Sequence, residues 1–175
     1  MLHLMYLHSH ARQPNIQSRH LFPRRSIMNP LTICVLACAL AVGGGEVSEL
    51  IRKDKAALQG TWKVTGAEDN GEKVPADDIK DLYLIFKGDA ISIREGGKTD
   101  EKFAYLLNPA KTPCEIDMIF KSGPKKGQTD RGIYKIDGDN LRICIQSNKD
   151  APRPRDFATR NMSNLSLVIL QRSKQ

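Results

Sequence analysis

The sequence predicts an all-β protein: an eight-stranded antiparallel barrel with one short helix, preceded by a signal peptide. Three observations predict it. From Gly60 onward, short β-like runs alternate with turn residues at nearly regular spacing. The connections read as hairpins, with Gly in Lys87-Gly88-Asp89-Ala90 and in Asp137-Gly138, where a two-residue loop needs positive φ. Eight short strands without long crossovers must hide their edges, and closure of the sheet does that.

Residues 1–45 form the leader. The apolar run Leu31–Val42 follows Arg24-Arg25 and ends at Gly43-Gly44-Gly45-Glu46. It is shorter than the ~20 apolar residues a spanning helix needs, and it suits the apolar core of an export signal. Ala39 and Ala41 stand at −3 and −1 of a cut before Val42, so the mature chain is expected to start between Cys38 and Glu46. Met28 offers an alternative translation start, since residues 1–27 are long for the basic part of a signal. Val35-Leu-Ala-Cys38 has the form of a lipobox, and membrane attachment is expected only if Cys38 is lipidated. The localisation this predicts is export, to periplasm, envelope or medium.

The charge is uneven. Of 27 Lys and Arg, four Arg and no acid fall in residues 1–45, and all 20 Asp and Glu lie in the rest, interspersed with bases. The exported part therefore has no stripe of one sign, and nucleic-acid binding is excluded as a function class. All four His also fall in the leader.

The elements follow in order. Residues 46–57 read as a linker or short helix, and 58–175 as the barrel domain. The strands are expected at Thr61–Glu68, Leu82–Lys87, Ala90–Glu95, Glu101–Leu107, Cys114–Lys121, Thr129–Ile136, Asn140–Gln146 and Leu165–Gln171. Val74–Asp81 reads as the one short helix, with Asp77 and Asp78 near the positive end of its dipole. Alternation places Trp62, Val64, Leu84, Phe86, Phe103, Tyr105, Met118 and Phe120 inward. Cys114 shares that inward parity and Cys144 the opposite one, so two free thiols are expected rather than a disulfide.

Gly60-Thr-Trp62 opening the first strand, with Arg172 closing the last, resembles the lipocalin-like (calycin) signature. Leu58–Val64, Phe86–Asp89, Asn108–Pro113, Ile116-Asp117, Gly132–Tyr134, Asp137–Asp139 and Arg153-Pro154 with Phe157 then follow in a characteristic order. Together they resemble the uncharacterised lipocalin-like domain of exported planctomycete proteins. The resemblance runs from Leu58 to Arg172 and implies a small exported β-barrel. It brings no catalytic residues. Cys144 matches a position where the family often has Cys, whereas Cys114 departs from it.

Trp62 and Arg172 are expected to be structural, the cation lying over the indole at one barrel end. Glu115 and Asp117 share the outward parity and are expected to face solvent. Asp137 and Asp139 lack the further ligands of a calcium loop, and Gly123-Pro-Lys-Lys-Gly127 lacks the second half of a P-loop. No metal and no cofactor is expected. The long loop Asp150–Thr159 puts Arg153, Arg155 and Phe157 either at a barrel mouth, facing an anionic partner, or in a strap across the barrel.

With no His and no paired catalytic set in the exported part, the sequence points away from an enzyme. It points to an exported binding module for a small apolar or anionic amphipathic ligand, with Arg153, Arg155, Phe157, Phe103 and Tyr105 as candidate ligand contacts. The alternative is an envelope protein-interaction module with a filled barrel. Any pocket is expected at the mouth farther from Trp62.

Overall fold

The computed structural model describes residues 42–160 and 163–174; Cys38 and all but the last four residues of the expected leader (1–45) lie outside them. Helix α1 (Val42–Leu58) comes first. Glu49 and Arg52 pair one turn apart at 2.6 Å, and Lys55 meets the negative end of the dipole in the last turn. The helix is four residues longer at its start than the expected 46–57, because Gly43–Gly45 are helical rather than a break. Extension from a formed helix needs no new nucleus, and the Ser48 hydroxyl donates to the Gly44 carbonyl at 2.8 Å. Gly60 then turns the chain with φ 114°, where a Cβ would also stand 3.4 Å from Arg172 Nη1.

The strands are β1 (Gly60–Asp69), β2 (Glu72–Lys73), β3 (Leu82–Lys87), β4 (Ala90–Glu95), β5 (Lys98–Asn108), β6 (Cys114–Phe120), β7 (Thr129–Asp137), β8 (Asn140–Gln146) and β9 (Leu165–Arg172). Helix α2 (Ala76–Ile79) lies between β2 and β3. Every pairing is antiparallel. The order runs β1-β3-β4-β5-β6-β7-β8-β9, and β9 returns to β1 from Trp62↔Arg172 to Asp69↔Ser166, closing eight strands into a barrel. All eight expected strands are present, with ends shifted by up to three residues.

Two details correct the expectation. The ninth strand, β2, folds back on the end of β1 through Asn70-Gly71, both at positive φ. Two residues are too few for periodicity to register, although Asn-Gly is a strong hairpin dipeptide. The helix expected over Val74–Asp81 is a single turn, entered from Pro75.

Alternation fills the barrel as expected. Trp62, Val64, Leu84, Phe86, Phe103, Tyr105, Met118, Phe120 and Ile143 belong to one inner core. A second apolar cluster lies outside the wall, where Ile133, Cys144, Leu165 and Leu167 are buried beneath Phe157 of the β8–β9 loop. Cys114 packs with the inner core and Cys144 with the outer one, and both are free. None of the described helices is long and apolar enough to cross a membrane.

Candidate functional site

The two barrel ends are built from different side chains. At one end Trp62 is fully buried, and its indole Nε1 donates to the Leu58 carbonyl at 2.8 Å. The Arg172 guanidinium lies 4.1 Å from the indole centroid and donates to the carbonyls of Gln59 (2.8 Å) and Ala57 (2.5 Å). It also pairs with Asp139 at 3.2 Å. One cation therefore covers the Trp face, caps the orphan carbonyls at the end of α1 and fixes the β7–β8 turn. Further links hold α1 across this end: the Tyr134 hydroxyl donates to Asp54 at 2.6 Å, and Lys55 pairs with Asp89 at 2.5 Å. Burial, with the Asp54 carboxylate beside it, pushes the Tyr134 phenol well above its ordinary range.

The opposite end is open. A cavity of about 290 Å³ enters the barrel there. Leu82, Leu84 and Ile93 of β3–β4 line one side, Phe103, Met118 and Phe120 the next, and Ile143, Ile145 and Val168 the third. Its polar lining is confined to Lys125 of the β6–β7 loop, Asp130 at the start of β7 and Ser147 after β8. The Phe103 and Phe120 rings meet at 4.7 Å in the wall. The cavity lies at the mouth farther from Trp62, as closure of the other end by the Trp62–Arg172 pair predicts.

The candidate ligand contacts do not form one site. Phe103 lines the cavity. Tyr105 lies deeper, edge-on to Phe86 at 5.5 Å, with its hydroxyl donating to the Gly88 carbonyl at 3.0 Å near the closed end. Burial raises its phenol pKa. Arg153, Arg155 and Phe157 lie on the outer wall, away from the cavity lining. Phe157 covers the second core, with Arg142 5.5 Å from its ring centroid, and Arg155 is exposed.

Arg153 is held by the sheet itself. Its Nη1 donates to the carbonyls of the opposed pair Ile116 (3.0 Å) and Gly132 (2.7 Å), and its Nη2 to Asp117 at 2.7 Å. Glu115 stands 3.6 Å from Nε. Glu115 and Asp117 point outward as expected, but the expectation that they are solvated is corrected: they are half-buried and flank a half-buried cation. Parity along one strand cannot reveal a loop 36 residues away that returns over it. Gly132 is required at this crossing, since a Cβ would lie 2.4 Å from Ile145 Cδ1 and 2.5 Å from the Cys144 carbonyl oxygen. Of the two sequence readings of the loop, mouth or strap, the geometry is that of a strap.

Sequence reasoning missed Lys125, Asp130 and Ser147. The signal for Lys125 is a count of hairpins: with Trp62 at the start of β1, the turn after β6 falls at the far end. Among the described residues, no group of three or more His, Cys, Asp or Glu could hold a metal ion. Burial pushes the Cys144 thiol up to about 11 and raises that of Cys114, which leaves both poor nucleophiles at neutral pH. Comparison with family models, with curated proteins and with solved structures finds no match for this chain.

Proposed function

We propose that the protein is an exported, non-enzymatic binding module of the lipocalin-like type, holding a small apolar or amphipathic ligand in the mouth cavity. The observation that carries this reading is the cavity: apolar on three sides, open at one end and stopped at the other by Trp62. A filled barrel would have favoured a protein-interaction module instead. At about 290 Å³ the space is near the lower edge of ligand pockets and about twice an engineered cavity that takes up benzene. The ligand is therefore small: a ring system or a short acyl chain, not a long lipid. Export rests on the Leu31–Val42 run and its small residues, and the raised thiols and the lack of His after residue 45 favour binding over catalysis.

Calorimetric titration with a series of n-alkanols tests the reading. Each methylene that enters the cavity should tighten binding about fourfold, until the space is full and the gain stops. Val168→Phe, which fills the cavity, should weaken octanol binding at least about tenfold while circular dichroism stays unchanged. Absence of saturable binding by the folded protein would move the assignment to the protein-interaction module. N-terminal sequencing of envelope material tests export, with a start between Cys38 and Glu46 expected.

A further inference from the structure

We infer that the ligand of this mouth is an anion with an apolar tail, its head group held at the rim by the Lys125 ammonium. This rests on the binding reading above and names the ligand class for it. The polarity of the cavity is directional. Its three polar residues, Lys125, Asp130 and Ser147, occupy one arc of the rim, while the β3–β4 side contributes only Leu82, Leu84 and Ile93. An amphipath placed in such a space puts its tail inward and its head on the β6–β8 side.

The sign of the head group follows from what each polar group already does. Asp130 is half-buried and accepts a hydrogen bond from the Ser147 hydroxyl at 3.4 Å. Lys125 is exposed and, among the described residues, takes part in no ion pair. Its Nζ stands 5.3 Å from the centroid of Phe120, itself a wall residue, so the ammonium hangs over the cavity. The backbone beneath it is fixed. Gly127 N donates to the Phe120 carbonyl, Gln128 N to that of Lys125, both at 2.9 Å, and Gly123 and Gly127 take positive φ. A fixed backbone carrying an exposed cation beside an apolar space fits a carboxylate or other small anion on a short chain. Lys126, next in the chain, carries the same charge but does not line the cavity.

Three probes with one chain and different heads decide the matter: octanoate, 1-octanol and octylamine, titrated calorimetrically into the full mature chain at pH 7 and about 0.1 M salt. Octanoate should bind tightest. Lys125→Ala should weaken octanoate about fivefold, the upper range for a partly exposed ion pair, and leave octanol within about twofold. Lys126→Ala should change neither, and Lys125→Glu should shift the preference toward octylamine. Lys125→Gln, which keeps most of the stem, guards against a packing effect and should behave like the Ala variant. Equal binding of octanoate and octanol, or equal losses in Lys125→Ala and Lys126→Ala, would overturn the role of Lys125 while leaving the cavity reading intact. Tightest binding of octylamine would overturn it in favour of Asp130. If no probe binds the folded protein, the cavity reading itself falls, and this inference with it.

Discussion

The closed and open ends of the barrel obey the same alternation of side chains but differ in what crosses them. At the closed end large rings fill the lumen, and each polar atom they bring is matched: the Trp62 indole by Leu58, the Tyr105 hydroxyl by Gly88, the Tyr134 hydroxyl by Asp54. Helix α1 supplies two of those partners, and Arg172 ties the helix end to the last strand. At the open end the residues lining the cavity are aliphatic or thioether side chains with one pair of phenyl rings, and the single turn of α2 adds Ile79 to the inner core. Shorter side chains against a constant barrel width leave volume unfilled. Packed polar contacts are thereby concentrated at one end and unfilled volume at the other.

The largest expected effect tests that asymmetry directly. Trp62→Ala should destabilise the protein by about 3–5 kcal/mol, the range for a large aromatic removed from a packed site. Leu82→Ala at the half-buried rim should cost only about 1 kcal/mol, since it widens a space already open. Urea midpoints at constant m-value measure both. Comparable losses at the two positions would break the comparison.

A second, smaller effect asks whether the outer wall is independent of the mouth. Arg153→Ala should destabilise by about 2 kcal/mol, because charge-assisted bonds to Ile116, Gly132 and Asp117 are lost and two half-buried carboxylates lose their cation. Octanol affinity at the mouth should stay within about twofold, since the strap does not line the cavity. A large loss of affinity with little loss of stability would return Arg153 to the ligand site.

The smallest effect sharpens the description of the closed end. Tyr134→Phe removes the bond to Asp54 and should cost about 1 kcal/mol at pH 7. Tyr134 titrates higher in the folded than in the unfolded protein, so its contribution is fully present below pH ~10 and lost as pH rises above it. The loss proceeds at up to about 1.4 kcal/mol per pH unit in the wild type and is missing from the variant. The two stability curves should therefore converge and cross about one pH unit above 10. Parallel curves would mean that the phenol is solvated.

How much could be read in the chain depends on the range over which each feature is encoded. Period-two alternation and Gly-bearing turns are local, so the eight barrel strands, the opposed parity of Cys114 and Cys144 and the inward set were legible. The roles of Trp62 and Arg172 were legible too, because they open the first strand and close the last of a sheet that must shut on itself. The two-residue β2 and the extra helical turn at Gly43–Gly45 were not, since neither carries a period long enough to register. The candidate site was half legible. Phe103 was found from parity, but Arg153 and Arg155 were grouped with it on loop length and charge alone.

Alternating apolar residues and turn glycines thus determined by themselves that the chain forms a small closed barrel with the Trp62–Arg172 pair at one end. Only the tertiary structure decided where the β8–β9 loop goes and which cation overlooks the cavity. Arg153 sits where it does because two strands present opposed carbonyls and two carboxylates at one place on the outer wall, and Lys125 because the turn after β6 ends over Phe120. Both arrangements join residues from separate elements. Their energies depend on distances across the closed sheet, which no local pattern along the chain encodes.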